Sequence, residues 1–191
     1  NTQGQGLSNI AIGLRAGCSL GSSNNIAIGL DAGSKHSASS NAGSNIFMGN
    51  SAGKCITAGL QNVVIGPNVR GGTQTTLGNY NTLIGSGSAV CLAGSWNVIM
   101  GNCSAECVTS VSNSIVIGAC AGRGENSGGN HTMPDGSIAI GNAALCKYVD
   151  DGTNNWPAVA IGLCAMSQSI PQAGMRAVAI GHRAMKLNTT G

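Results

Sequence analysis

Apolar residues in this chain come in runs of three, each closed by a glycine: Ile-Ala-Ile at 10–12, the same at 26–28, Ile-Phe-Met at 46–48, Val-Val-Ile at 63–65. The closing glycines are Gly13, Gly29, Gly49, Gly66, Gly85, Gly101, Gly118, Gly141, Gly162 and Gly181, at intervals of 16 to 23 residues. Between the runs the chain is rich in Ser, Asn, Gly and Ala. A local motif repeated at a slightly variable period marks an array whose units are too small to bury their own apolar faces and must stack on their neighbours.

Three positions before the glycine stand Ile10, Ile26, Ile46, Val63, Thr82, Val98, Ile115, Ile138, Val159 and Val178, all β-branched. One position before it stand eight Ile, with Met48 and Met100. Residues two apart share a strand face, and stiff β-branched side chains favour strand. Each repeat therefore predicts a short strand that ends at a glycine corner, one rung of a parallel β-solenoid. The position between reads Ala11, Ala27, Phe47, Val64, Leu83, Ile99, Val116, Ala139, Ala160 and Ala179, apolar every time.

A half-buried strand alternates apolar and polar residues, so a strand apolar on both faces needs a second cover. An identical ladder from another copy, related by a rotation axis, supplies one; a rung that folds back on itself supplies another. With the first cover, the ten residues from Ala11 to Ala179 are the expected oligomer interface. Three positions after the glycine the residues are small, Ala in seven repeats, which predicts close packing. Four before it stand Asn9, Asn25, Asn45, Asn62, Asn81 and Asn97, then Ser114, Ser137, Ala158 and Ala177. Stacked in register, those amides can bond one another.

The pattern N-[IVT]-x-[IM]-G-x-x-A-G at 9–17, 25–33 and 45–53, and loosely in all ten repeats, resembles repeats of bacteriophage tail-fibre proteins, particularly marine ones. It is also similar to the head repeats of YadA-type trimeric autotransporter adhesins. Ten repeats make about ten rungs, and the resemblance implies a left-handed β-roll assembled as an intimate homotrimer and used in host attachment. It implies a virion or cell-surface location, with other virion components and a host glycan or protein as partners.

Composition narrows the picture further. The 191 residues include 31 glycines, 42% apolar and only 3% aromatic residues, so the interior is narrow and filled by Ile, Val and Ala. The whole chain reads as one domain, 1–191. A net charge of +3 comes from scattered basic residues such as Arg15, Lys54, Arg70, Arg123 and Lys147, which with so few aromatics argues against nucleic-acid binding. No apolar run approaches the roughly 18 residues of a membrane span. The ends, NTQGQG and NTTG, resemble inter-repeat turns, and the array is expected to continue or to abut another subunit.

Candidate chemistry is sparse, and no enzyme, cofactor or metal is expected. The GNSAG at 49–53 matches a nucleophile elbow, but Ser51 holds the repeat position of Arg15 and Asp31. His36, His131 and His182 lack ligand-spaced partners. A hexapeptide-repeat acyltransferase needs a strict six-residue period, which these intervals break. Of eight cysteines, the pairs Cys103/Cys120 and Cys91/Cys107 fall on adjacent rungs, about 4.8 Å apart. That is within reach of a disulfide, although buried thiols that simply pack are favoured. Two insertions lengthen the period, 123–136 and 146–157. The second carries Tyr148, Asp150, Asp151, Asn154, Asn155 and Trp156, groups suited to a glycan or protein receptor, or to packing on the next rung. The expected function is a structural attachment protein, a tail-fibre shaft; a surface adhesin head or a filament subunit remain alternatives.

Overall fold

A computed structural model describes residues 6–36, 42–69, 77–124, 131–147, 157–167 and 177–186. The protein is an all-β parallel solenoid. Its strands are β1 (Ile10–Ile12), β2 (Ile26–Ile28), β3 (Ala42–Gly43), β4 (Ile46–Met48), β5 (Gly59–Leu60), β6 (Val63–Ile65), β7 (Thr82–Ile84), β8 (Val98–Met100), β9 (Val108–Ser110), β10 (Ile115–Ile117), β11 (His131–Thr132), β12 (Ile138–Ile140), β13 (Val159–Ile161) and β14 (Val178–Ile180). Ten of them form one parallel sheet in the order β1-β2-β4-β6-β7-β8-β10-β12-β13-β14. The register is set repeat on repeat: Leu83 pairs with Val64 on one side and Ile99 on the other. Short parallel pairs β3–β5 and β9–β11 lie outside this sheet.

The glycine after each strand is a conformational requirement. All ten have φ between +125° and +138°, a region that side chains rarely enter. Each of the first nine also packs its α-carbon against the backbone of the next repeat's glycine; a Cβ on Gly118 would lie 2.4 Å from the Gly141 carbonyl oxygen. Gly181 has the same φ region but, among the described residues, nothing within 4 Å of such a Cβ. Gly118→Ala is therefore expected to cost about 3 kcal/mol or more in denaturant unfolding. Gly181→Ala, which meets only the backbone strain, is expected to cost distinctly less.

One column of side chains points inward from the sheet, and it is the middle residue of each strand. Ala27, Phe47, Val64, Leu83, Ile99, Val116, Ala139 and Ala160 are all fully buried within the single chain. Opposite them pack the small residues three after the glycine, Ala32, Ala52, Val69, Ser88, Ser104, Ala121, Ala144 and Ala165. Residues four after the glycine compensate for volume. Phe47 fits because Gly33 and Gly53 lie against its ring, where any Cβ would collide with it. Where the strand residue shrinks to Ala139 or Ala160, buried Leu145 and Met166 fill the space. The interior thus keeps its packing density while its large residues change sides.

The asparagine column forms a continuous ladder, buried from Asn25 onward. Asn9 Oδ1 accepts from the backbone N–H and the Nδ2 of Asn25, and the same pair of bonds links Asn25 to Asn45, Asn45 to Asn62, Asn62 to Asn81 and Asn81 to Asn97. The N–H of Ser114 closes on Asn97 Oδ1 at 3.1 Å, and Ser114 and Ser137 pass the pattern on through their hydroxyls. These amides can sit in the core only because their polar atoms find partners there.

Candidate functional site

The inward column corrects the expectation that Ala11, Ala27, Phe47, Val64, Leu83, Ile99, Val116, Ala139, Ala160 and Ala179 face another copy. Eight of these side chains have no exposed surface and Ala179 has 3%, so they have nothing to offer a partner. Ala11 alone is exposed, on a strand paired only with β2 among the described residues. The rung does fold back over this face. A strand apolar on both sides leaves its orientation undetermined by alternation, and burial within the single chain decides it.

The outward face is formed by the flanking residues of each strand, Ile10 and Ile12 through Val178 and Ile180. Of these twenty residues nineteen are apolar, Thr82 being the exception, and none is buried. Exposure reaches 50% at Ile10 and 67% at Ile180. The turn just beyond adds Leu14, Leu30 and Leu163, all exposed. At about 4.8 Å per strand the strip is roughly 50 Å long, and with about 12 Å of width its flat footprint is on the order of 600 Å². That is the upper end of what monomers leave uncovered.

Beside this strip stand two exposed aromatics. Tyr80 and Trp96, two residues ahead of Thr82 and Val98, stack with ring centroids 5.8 Å apart and planes within 7°. Both occupy left-handed turn positions, φ +61° and +57°, which neighbouring repeats give to Ser44, Gln61 and Asn113. The stack covers one face of each ring, yet Trp96 keeps 58% of its surface exposed. Their 16-residue spacing, equal to that of Gly85 and Gly101, was the available signal in the sequence.

Tyr148, Asp150, Asp151, Asn154, Asn155 and Trp156 lie outside the described residues. None of the eight cysteines is joined in a disulfide. Burial pushes the thiols of Cys103 and Cys107 up, with the Glu106 carboxylate adding to it, and burial does the same at Cys146. Such thiols are poor nucleophiles. Glu106 Oε2 lies 3.0 Å from Arg123 Nε without the alignment of a hydrogen bond. Ser51 donates its hydroxyl to Asn50 Oδ1, and among the described residues no three His, Cys, Asp or Glu side chains converge as a metal would require. Asp31 is bracketed by Arg15 and Lys54, whose hydrogen bonds hold its carboxyl below the usual range.

His36 is the most deeply buried titratable side chain described. Its Nδ1 is 3.1 Å from Ser22 Oγ and its Nε2 3.4 Å from Asn45 Nδ2. The two hydrogens of that amide are directed at Asn25 Oδ1 and the Gly59 carbonyl oxygen. Burial lowers the His36 pKa, with a weak opposing effect from the Gly59 backbone. The unfolded chain, titrating near 6.5, takes up a proton before the folded one does. The contribution to stability is complete above about pH 6.5 and is lost as pH falls below it. Melting temperature is expected to fall between pH 7 and 5, and His36→Leu, which places there the residue type of Leu20 and Leu92, should flatten that slope.

Among the described residues no helix is long and apolar enough to cross a membrane. Comparison with family models, with curated proteins and with solved structures returned no match.

Proposed function

We propose that this protein is a non-enzymatic structural element, a ten-rung left-handed shaft that assembles as a homotrimer through its outward sheet face and serves a viral tail fibre in host attachment. One observation carries the reading: nineteen of the twenty outward strand residues are apolar in a chain that has polar residues at most of its turns. A footprint of roughly 600 Å² before corrugation is close to the ~800 Å² per partner of specific interfaces. At about 25 cal/mol per Å² its burial is worth on the order of 15 kcal/mol before the costs of association. Identical ladders give such a face a partner of matching pitch. Contact with a host glycan or protein is assigned to the insertion at 146–157, where the repeat is broken.

Sedimentation equilibrium of the chain tests the assembly: a species of three times the chain mass is expected, and a stable monomer at micromolar concentration overturns it. Immunogold labelling of phage particles, as against cell envelopes, separates a tail fibre from a surface adhesin.

A further inference from the structure

A ladder that packs on copies of itself has a difficulty of its own making. Its outward columns are nearly the same on every level, Ile or Val three before the glycine and Ile or Met one before it. Sliding one copy along another by a single strand spacing, about 4.8 Å, brings Ile onto Ile again. It forfeits only about a tenth of the contact, because nine of ten levels still match. Apolar burial is non-directional and separates such registers only by that tenth. Something that does not repeat must choose between them.

The apolar departures, Met48 and Met100 within the columns and Leu14, Leu30 and Leu163 beside them, are spread over the strip, whereas a polar and two aromatic ones fall together. Thr82, in β7, is the only polar residue among the twenty outward strand positions. Tyr80 stands two residues before it, and Trp96, stacked on Tyr80, stands on the next level beside β8. These are the fifth and sixth of the ten strands in the sheet, its middle levels. We propose that Tyr80, Thr82 and Trp96 fix the axial register in which copies of this chain pack face to face. The inference rests on the self-association argued above and adds to it which level meets which.

The chemistry is that of a single polar residue in an apolar seam, which specifies register and assembly at some cost in stability. In a rotationally symmetric assembly every Thr82 lies level with its counterparts, and the hydroxyls can bond one another. Displaced by one level, each faces Val63 or Val98 of another copy and loses its partner. The aromatic stack acts in the same sense through shape. It widens the strip at two levels, where the adjoining repeats present Gln61 and Asn113. Two stacks at the same height fit one arrangement, and a shift sets rings against short amides.

The test erases the irregularity by copying the neighbours: Tyr80→Gln, Thr82→Val and Trp96→Asn, the residues of the adjacent repeats at those positions. A benzoylphenylalanine photo-crosslinker replaces Ile117 in the native chain and in the triple variant, and crosslinked peptides are mapped by mass spectrometry. In the native chain, crosslinks confined to one level of the partner copy are expected. In the variant, at unchanged oligomer mass, they should spread over at least three adjacent levels. A Trp96→Tyr variant, which keeps an aromatic pair and Thr82, should retain the single level. Crosslinks still confined to one level in the triple variant overturn the proposal. So does a triple variant that becomes monomeric while the native chain is assembled, since the residues would then be an anchor and not a register key. A monomeric native chain with no intermolecular crosslink overturns the self-association reading itself, a distinguishable result.

Discussion

Replacing Leu83 by Asp is expected to leave a chain that does not fold. Leu83 has no exposed surface, lies mid-ladder between Val64 and Ile99, and belongs to the single core cluster that runs the length of the solenoid. A carboxylate there would be desolvated with no partner, and the neighbouring rungs, which depend on this one for half of their cover, would lose it. Leu83→Ala is expected to cost about 2–5 kcal/mol, and the Asp variant more than about 4 kcal/mol, comparable with the whole stability of many domains. Circular dichroism at 20 °C reads the outcome. A Leu83→Asp chain that keeps its strand signal would show that the column is not core.

The opposite pattern is expected one residue to the side. Ile65 and Ile84 flank the buried column on paired strands and point outward. In a single chain both side chains are half-buried and lie opposite one another, so Ile65→Asp with Ile84→Asp is expected to cost about 1–2 kcal/mol in folding and to leave the chain folded. In the proposed assembly the same carboxylates would be buried against apolar ladders and against one another. The double variant should sediment as a folded monomer at concentrations where the native chain is associated, a shift in dissociation constant of at least about a thousandfold. An unchanged mass would place the interface elsewhere.

These two residue sets show what could be read from sequence. The ten strands of the main sheet, their boundaries and their one-to-one stacking followed from Ile-x-Ile-Gly and its β-branched flank, because the backbone need at each glycine and the two-residue period are local; the short pairs β3–β5 and β9–β11 carry no such pattern and did not. The asparagine ladder was legible for the same reason. Which face turned inward was not, since alternation carries no information when both faces are apolar. The deciding signal is non-local and sits in the compensation between columns: Phe47 with Gly33 and Gly53, Ala139 with Leu145, Ala160 with Met166. Only residues that share one closed space trade volume in that way. The Tyr80–Trp96 pair needed the repeats aligned on the column five before the glycine, where two bulky aromatics interrupt a run dominated by short polar residues.

That trading of volume also decides how freely repeats could be moved. Around Phe47 the ring occupies space left by glycines of its own repeat and of the one before, so excising or transplanting that unit alone would leave either a void or a collision. Towards the other end, Ala139 and Ala160 stack in register, each followed six positions on by a buried larger residue, Leu145 and Met166. The core is thus keyed most tightly around Phe47, so natural or engineered changes of length are expected to spare the segment from Asp31 to Ile65.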